Sequence, residues 1–313
     1  MQGFGESING AGTVAAIVPT YNRESELRVC LRSLLAQTTP LGAVYVIDNG
    51  STTEELLRQI SRQGIRYVRL PENTGSAGGF RAGMELAFND GFEWLWITDN
   101  DSIPRPDSLE ALLRAAETHQ DVLAFAPMKI RSSDGGVLKC DGIWDPITHR
   151  TLDAPGCAYQ RNESFEVDWT ANTGLLVHRK AIEKIGHMRA DLFAFGEDNE
   201  YCRRLRRITR ILVIPESRVA HPEMGMGWPV PAKSLWKLYY LIRNDVFLSL
   251  RGLQRPQRGV AKVLWRWARV SLNIIRKQDY RFQRLFVVTL ATWHGLVGRL
   301  GPAPSILGRW SVV

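Results

Sequence analysis

The run Trp94-Leu95-Trp96-Ile97-Thr98 breaks into Asp99-Asn100-Asp101, two carboxylates one residue apart at the end of an apolar stretch. Hard oxygen donors in a close pair suit Mg²⁺ or Mn²⁺, which complete their octahedra with substrate phosphates. The same composition also makes a solvated turn. A second acidic group, Glu197-Asp198-Asn199-Glu200, follows Gly196 at the start of a helical stretch. Carboxylates there cap the helix dipole, and one that faces a cleft serves equally as a general base toward an alcohol. His221, just before Pro222, is either a third metal ligand or a structural imidazole. The stretch Asn73-Thr74-Gly75-Ser76-Ala77-Gly78-Gly79-Phe80-Arg81 precedes a helical pattern. Its backbone N–H groups suit a phosphate with Arg81 adding charge, or its glycines serve a flexible turn and helix packing. Tyr21 stacks on a base or caps the core.

Holding these groups in one place requires strands that end together. Residues 92–98 read as a buried strand, and Pro104 and Pro106 prevent its continuation. If the backbone stays extended, positions i and i+2 share a face and both aspartates converge on one ion. Val14–Val18 is a strand ending at Pro19-Thr20-Tyr21-Asn22-Arg23, and Leu27, Cys30, Leu31, Leu34 and Leu35 form the apolar face of the following helix. A strand over Ala43–Ile47 ends in Asp48-Asn49-Gly50-Ser51. A helix over about 52–63, a strand over Ile65–Leu70 and a helix over Ala82–Phe88 follow. Strands alternating with helices predict a parallel sheet with crossover helices. Such sheets bind ligands beyond the carboxyl ends of their strands, where Thr20-Tyr21-Asn22, Asp48 and Asp99/Asp101 lie. Farther on, the pattern predicts strands near 122–127 and 137–140 and a polar loop from Val167 feeding a strand. A short helix over Lys180–Ile185 closed by Gly186 and a strand over Ile211–Ile214 complete this part.

The 313 residues, 44% hydrophobic and 23% charged, have room for one large domain with appendages or for two domains. Charge is uneven. Pro231 to Val313 holds 15 Lys or Arg against 2 Asp or Glu, so this segment carries +13 of a net +8 and the first 230 residues carry −5. Cys30, Cys140, Cys157 and Cys202 make no CxxC pair, which fits reduced thiols in the cytosol and gives zinc little support. The N-terminus lacks a signal-peptide pattern, and Leu285–Gly298 falls short of the about 20 apolar residues that span a bilayer. Trp236–Leu250 and about Val260–Ile275 show helical spacing of aromatic and aliphatic residues with Arg and Lys between them. Trp265, Arg266, Trp267 and Arg269 suit a helix lying among lipid headgroups, or a helical subdomain with a basic exterior. Nucleic-acid binding is the alternative of another class, and it leaves the carboxylates at the strand ends unexplained.

In order and in combination, several motifs resemble the inverting family 2 glycosyltransferases of the GT-A fold. They are Ile17-Val18-Pro19-Thr20-Tyr21-Asn22-Arg23, Val46-Ile47-Asp48-Asn49-Gly50-Ser51, the Asn73–Phe80 stretch, Asp99-Asn100-Asp101, Gly174-Leu175-Leu176-Val177-His178-Arg179, Gly196-Glu197-Asp198-x-Glu-Tyr-Cys-Arg-Arg and His221-Pro222. The resemblance spans about Val14 to Pro222. It implies an α/β, Rossmann-like mixed central sheet flanked by helices, with a basic helical C-terminal extension. The corresponding division is a catalytic domain over 1–230, with its donor half about 13–127 and acceptor half about 128–230, and a Trp-rich subdomain over 231–313. By the resemblance, Thr20, Tyr21 and Asp48 surround the base and ribose of a nucleotide-sugar donor, and Arg81 stands near its diphosphate. Pro19, Asn22, Arg23, Asn49, Asn73, Gly78, Gly79, Asp99 and Asn100 complete the donor side. Asp99, Asp101 and His221 would hold Mn²⁺ or Mg²⁺, Asp198 would be the catalytic base with Glu197 assisting, and Trp169, Thr170 and Asn172 would line the acceptor pocket. One base with no nucleophilic carboxylate implies single-step inversion. The Asn73–Phe80 stretch with Gly83-Met84, and Tyr240-x-x-Arg243-Asn244, look like bacterial galactofuranosyltransferases. UDP-galactofuranose is therefore the preferred donor, with dTDP-rhamnose open because rhamnosyltransferases share nearly all the motifs. The implied partner is a lipid-linked or polysaccharide acceptor of cell-envelope glycan synthesis, met at the cytoplasmic face of the membrane; the oligomeric state is left open.

Overall fold

Seven consecutive residues, Val14–Thr20, form β1 and are buried along their whole length. A strand covered on both faces reads as an unbroken apolar run, as this one does. Its side chains still alternate. Ala15 and Ile17 join one core with Tyr45, Ile47, Phe80, Met84, Leu95 and Ile97, while Val14, Ala16 and Val18 join another with Leu27, Cys30, Leu31, Leu34, Trp96 and Leu109. The molecule is a computed structural model, described here for residues 13–52, 64–145, 150–222, 230–231, 234–251 and 256–310. The helix expected over about 52–63 lies almost wholly outside the described residues.

β1 is flanked by two parallel neighbours, β2 (Ala43–Asp48) and β4 (Trp94–Ile97), and β3 (Ile65–Arg69) lies parallel to β2. Past β4 the sheet becomes mixed. β11 (Leu175–His178) runs antiparallel between β4 and β6 (Ala124–Arg131). β12 (Ile211–His221) is parallel to β6 and pairs antiparallel with both β5 (Ile103–Pro104) and β9 (Phe165–Val167). The purely parallel sheet predicted by strand–helix alternation therefore holds for the first four strands, and the mixed sheet implied by the resemblance describes the whole. Pro104 does stop the run after β4, but as part of a two-residue strand at the sheet's edge, where a missing N–H is tolerated. The strand expected near 137–140 is only an isolated bridge of Val137 to Ile130, and just after it a second sheet of the order β10 (Trp169–Thr170), β7 (Asp141–Asp145), β8 (Arg150–Asp153) begins.

Helix α1 (Glu24–Leu35) buries Leu27, Cys30, Leu31 and Leu34 as its spacing predicts, whereas Leu35 is half exposed. Helix α2 spans Gly75–Asn89, so the glycine stretch is its first turns and not a loop before it. Its glycines let it lie closer to the sheet than any Cβ permits. A Cβ on Gly79 would stand 2.7 Å from both Pro19 Cβ and Asn49 Nδ2, and one on Gly83 would stand 2.4 Å from Ile17 Cγ2. The remaining helices are α3 (Ser108–Thr118), α4 (Arg179–Ile185), α5 (Glu197–Leu205), α6 (Leu235–Arg251), α7 (Pro256–Lys277), α8 (Arg281–Val297) and α9 (Ser305–Trp310). Gly186 ends α4 at φ +74, the conformation its residue type serves.

Two compact units emerge. The first takes the described residues of Met1–Asn73, Gly79–Met188 and Tyr201–Met224; the second takes those of Thr74–Gly78, Arg189–Glu200 and Gly225–Val313. The sequence places one boundary at 230, while the second unit also gathers two short upstream segments. Its core joins Val230, Leu235, Leu238, Tyr239 and Tyr240 to Ile274, Val287, Val288 and Ala291. Among the described residues no helix is long and apolar enough to cross a membrane.

Candidate active site

Strand register brings the polar ends together. Thr20 sits opposite Asp48 across β1 and β2. The fully buried Asp48 carboxylate accepts from Ser51 N at 2.9 Å and Tyr67 Oη at 2.7 Å, which fixes the turn after β2. Asn49 N donates to Thr20 O at 2.9 Å. Asn22 adopts a left-handed φ of +52, which Asn tolerates; its N–H donates to Ser51 Oγ and its Oδ1 accepts from Thr52 N. Asn100 Nδ2 donates to Thr20 Oγ1 at 2.9 Å, tying the aspartate turn to the end of β1. Tyr21 is left exposed beside this edge. Asn73 is partly buried, Gly78 is buried, and Arg81 is exposed with its Nε 2.7 Å from Glu85 Oε1.

The two aspartates converge by a turn. Ser102 N donates to Asp99 O at 3.2 Å, so residues 99–102 curl and do not stay extended as alternation would require. The pairing of β5 with β12 then sets Ile103 opposite Ala220, which brings Asp101 beside His221. One ligand atom from each of Asp99, Asp101 and His221 lies within 4.8 Å of the others. His221 Nε2 is 2.9 Å from Asp101 Oδ1, and Arg23 Nη1 donates to Asp101 Oδ2 at 2.8 Å. Thr173 Oγ1 donates to Asp99 Oδ2 at 3.0 Å. The other nitrogen of His221, Nδ1, is 2.6 Å from Pro222 O. With Nδ1 engaged by that carbonyl, Nε2 is the nitrogen that faces the aspartates, and in the neutral imidazole it is the one that would be available to a metal.

Electrostatics follow from this crowding. Burial pushes the Asp99 carboxyl above the ordinary range despite the His221 charge and the Thr173 hydrogen bond. Burial acts the same way on Asp101, but the hydrogen bond and charge of His221 together with Arg23 outweigh it and hold the group low. For His221 burial opposes the charged form, and Asp101 and Asp99 prevail, raising the imidazole above its usual value. Two carboxylates and an imidazole at this spacing are a fitting donor set for a hard divalent ion, and three ligands leave positions for phosphate oxygens.

The loop implied to line the acceptor pocket divides. Thr170 is fully buried: it accepts from Lys129 Nζ and donates to Asp141 Oδ1 at 2.6 Å. Asp141 also accepts from Lys129 Nζ at 2.7 Å and from Tyr159 Oη at 3.0 Å. Thr170 therefore lines no accessible surface; its hydroxyl is consumed by a buried ion pair. Trp169 Nε1 and Asn172 Oδ1, by contrast, are buried polar atoms with no hydrogen-bond partner among the described residues. Thr173 was not singled out by sequence, because a threonine in a polar loop carries no signal of which carboxylate it will meet.

In the second unit, Glu197 and Asp198 open α5. Glu197 Oε1 accepts from Ser76 Oγ at 2.6 Å, and Asp198 Oδ1 accepts from Asn199 N at 2.7 Å. Both stand in the first turn, where the helix dipole favours negative charge.

A mixed sheet with carboxylates at the ends of its parallel strands defines a nucleotide-diphosphate-sugar transferase fold of the GT-A type. The chain belongs to glycosyl transferase family 2, whose profile it matches over residues 15–185. It is similar to galactofuranosyltransferase GlfT1 of Mycobacterium tuberculosis, 31% identical over 125 residues covering 39% of this chain and 41% of that one. With the GlfT1 of Mycolicibacterium smegmatis it is 27% identical over 210 residues, 62% of this chain and 65% of the relative. With the hyaluronan synthase of Streptococcus pyogenes it is 33% identical over 132 residues, 40% of this chain and 32% of the relative. The matches thus span less than two thirds of each of these relatives. Among solved structures, GalNAc-T7 with UDP, GalNAc and Mn²⁺ superposes at a TM-score of 0.58 with 16% identity, covering 77% of this chain and 51% of that one. Residues 1–349 of S. aureus TarS superpose at 0.55 with 15% identity, covering 92% and 82%. These likenesses concern the fold.

Proposed function

We propose that the chain transfers a sugar from a nucleoside-diphosphate donor to a hydroxyl acceptor with inversion, using a divalent ion held by Asp99, Asp101 and His221. The convergence of those three side chains at the carboxyl ends of parallel strands carries the reading. An Mn²⁺ or Mg²⁺ ion bound there would neutralise charge on the departing diphosphate. The protein's own groups do the rest. Thr20, Asp48 and the exposed ring of Tyr21 bracket the donor edge, with the Pro19–Arg23 stretch, Asn73 and Gly79–Arg81 of the same unit on the donor side. Asp198, at a helix N-terminus, accepts the proton of the attacking hydroxyl as the new C–O bond forms and the bond to the diphosphate breaks, and Glu197 assists. A single displacement inverts the anomeric centre. The unpartnered Trp169 Nε1 and Asn172 Oδ1 offer a buried donor and acceptor suited to the hydroxyls of the acceptor.

UDP-galactofuranose is the donor we infer, supported by the similarity to the mycobacterial galactofuranosyltransferases. The acceptor we infer is a lipid-linked or polysaccharide glycan of the cell envelope, reached with the basic helices lying on the cytoplasmic membrane face. Supporting the last point, Leu264, Trp265, Phe282 and Trp293 are exposed on α7 and α8 alongside Arg266 and Arg269. A panel of UDP- and dTDP-sugars, assayed with Mn²⁺ or Mg²⁺ for donor hydrolysis and thermal shift, tests the donor. Turnover of dTDP-rhamnose with no response to UDP-galactofuranose overturns that choice. Asp198→Asn should cut transfer to a small residual rate without lowering the melting temperature; full transfer by that variant removes the base assignment.

A further inference from the structure

The second unit contains a backbone distortion immediately ahead of Glu197 and Asp198. Phe193 has φ +65 and ψ −63, and Ala194 N donates to Leu192 O at 2.8 Å. That is the γ-turn of the disfavoured hand, rare and strained for any side chain and more so for an aromatic one. Phe195 follows at φ +63 and Gly196 at φ +91, so three of the four residues before α5 lie in left-handed territory. Two bulky residues there persist only if the surroundings impose the conformation.

The imposing groups are Arg243 and Asn244 of α6, both almost completely buried. The side-chain NH₂ of Asn244 faces Leu192 O at 3.0 Å, Ala194 O at 2.8 Å and Phe195 O at 2.6 Å. Arg243 Nη2 donates to Leu192 O at 2.8 Å, Nη1 to Gly301 O at 2.5 Å and Nε to Asn244 Oδ1 at 2.9 Å. The last contact fixes which way the Asn244 amide points. Burying a guanidinium whose hydrogen bonds go to neutral oxygens is costly, and here that cost maintains one short turn. Aromatic contacts add to the hold: Phe193 stacks on Tyr240 at 4.8 Å, and the Arg243 guanidinium lies 4.9 Å from the Tyr240 ring centroid.

The turn also organises its other neighbour. Phe193 O accepts from Ala77 N at 3.0 Å, and the approach at Gly75 is so close that a Cβ there would stand 2.0 Å from Phe193 O. Ser76, between these two contacts, donates to Glu197 Oε1. One strained turn thus sets both the start of α5 and the hydroxyl that orients Glu197.

We propose that Arg243 and Asn244 are positioning residues for the acidic pair: by clamping residues 192–195 in their strained path they fix where α5 begins and therefore where the Asp198 and Glu197 carboxylates stand. This rests on the reading of Asp198 as the base. The Tyr240-x-x-Arg243-Asn244 pattern noted in the sequence then has a physical role that is independent of donor identity.

The test uses the full chain carrying Asn244→Ala or Arg243→Lys, each also combined with Asp198→Asn, with the donor established for the wild type. Misplacing a catalytic group by about 1 Å costs on the order of 10²-fold in rate. A fall in kcat of that order, an unchanged donor KM and a cooperative thermal transition are expected for the single variants. In the Asp198→Asn background neither substitution should lower the residual turnover further. Equal loss in both backgrounds marks a general structural defect and overturns the proposal, as does wild-type kcat in the single variants. If Asn244→Ala does not fold, Arg243→Lys decides by the same readouts. Wild-type transfer by Asp198→Asn alone would instead remove the base assignment, a failure that these comparisons separate from that of the clamp.

Discussion

Arg23 Nη1 lies 2.8 Å from Asp101 Oδ2, on the carboxylate whose other oxygen meets His221 Nε2 at 2.9 Å. Both oxygens of the second aspartate are therefore met by cationic groups of the protein itself. The Arg23 side chain is half exposed, so it can leave without unfolding anything. A divalent ion entering this site would compete with the guanidinium. Exposed ion pairs of this kind are worth at most about 1 kcal/mol. Arg23→Gln should accordingly tighten Mn²⁺ binding a few-fold in the absence of nucleotide, as read by paramagnetic titration. Weaker binding would show that Arg23 supports the site and does not compete for it.

The same pair gives a pH signature. In the metal-free protein His221 is raised, so its stabilising contact with Asp101 is complete below the unfolded value of about 6.5 and fades as pH climbs through the raised one. Asp101 is lowered, so its contribution is complete above about 3.9 and is lost as pH falls through the depressed value. The contact is strongest between those limits. In chelator, His221→Gln should lower the melting temperature more near about pH 6 than near about pH 9. Metal ligation requires the neutral imidazole, so Mg²⁺ should raise the wild-type melting temperature more near about pH 8 than near about pH 6. A stabilisation by Mg²⁺ independent of pH would exclude His221 as a ligand.

Much of this site was legible because it depends on chain-local facts. An apolar run ending in Asp99-Asn100-Asp101 places carboxylates at a strand end whatever the rest of the sheet does. His221 could be named as a ligand candidate, but only the antiparallel pairing of β5 with β12 puts it beside Asp101, and a two-residue strand containing Pro104 has no periodicity to read. The glycines of α2 looked like a loop because three glycines in five residues lower helix propensity; the close approach of Gly79 to Pro19 and Asn49, and of Gly83 to Ile17, exists only in the packed sheet. The resemblance implied Thr170 as a pocket residue, and nothing in its neighbours announces Lys129 or Asp141, which lie 41 and 29 positions away. Long-range pairings of buried charge are the part of the fold that one sequence conceals.

That buried pair has its own consequence. Lys129 and Asp141 are fully buried, and they join β6 of the large sheet to β7 of the small one. Removing one partner strands a charge in the interior, which costs about 3–5 kcal/mol. Lys129→Met should lose stability of that order in urea unfolding, and Lys129→Met combined with Asp141→Leu should recover a substantial part. A double variant less stable than Lys129→Met alone would mean that Tyr159 and Thr170, not the lysine, are what Asp141 chiefly serves.

Helix α8 carries the last expectation. Phe282, Phe286, Trp293 and Val297 are all exposed, with Phe282 at 89%, and they recur at helical spacing along one face. Trp267 Nε1 of α7 donates to Thr289 Oγ1 on that same face, so exposed Leu264 and Ile275 of α7 extend the surface. An apolar strip of this length on a segment with 15 basic and 2 acidic residues would suit the interface of an anionic bilayer, where rings would enter the headgroup layer and each nearby Arg or Lys would add about 1 kcal/mol. The sequence pointed to Trp265 and Arg266 of α7; the structure adds an apolar stripe on α8, broken at Thr289. Co-sedimentation with phosphatidylcholine vesicles should be weak, should rise when phosphatidylglycerol is included, and should fall again with added salt. Phe282→Ser combined with Trp293→Ser should reduce binding to the mixed vesicles while leaving donor hydrolysis intact. If those substitutions instead convert a dimer to a monomer in light scattering and leave vesicle binding unchanged, the stripe is covered by a second copy of the chain and the membrane reading fails.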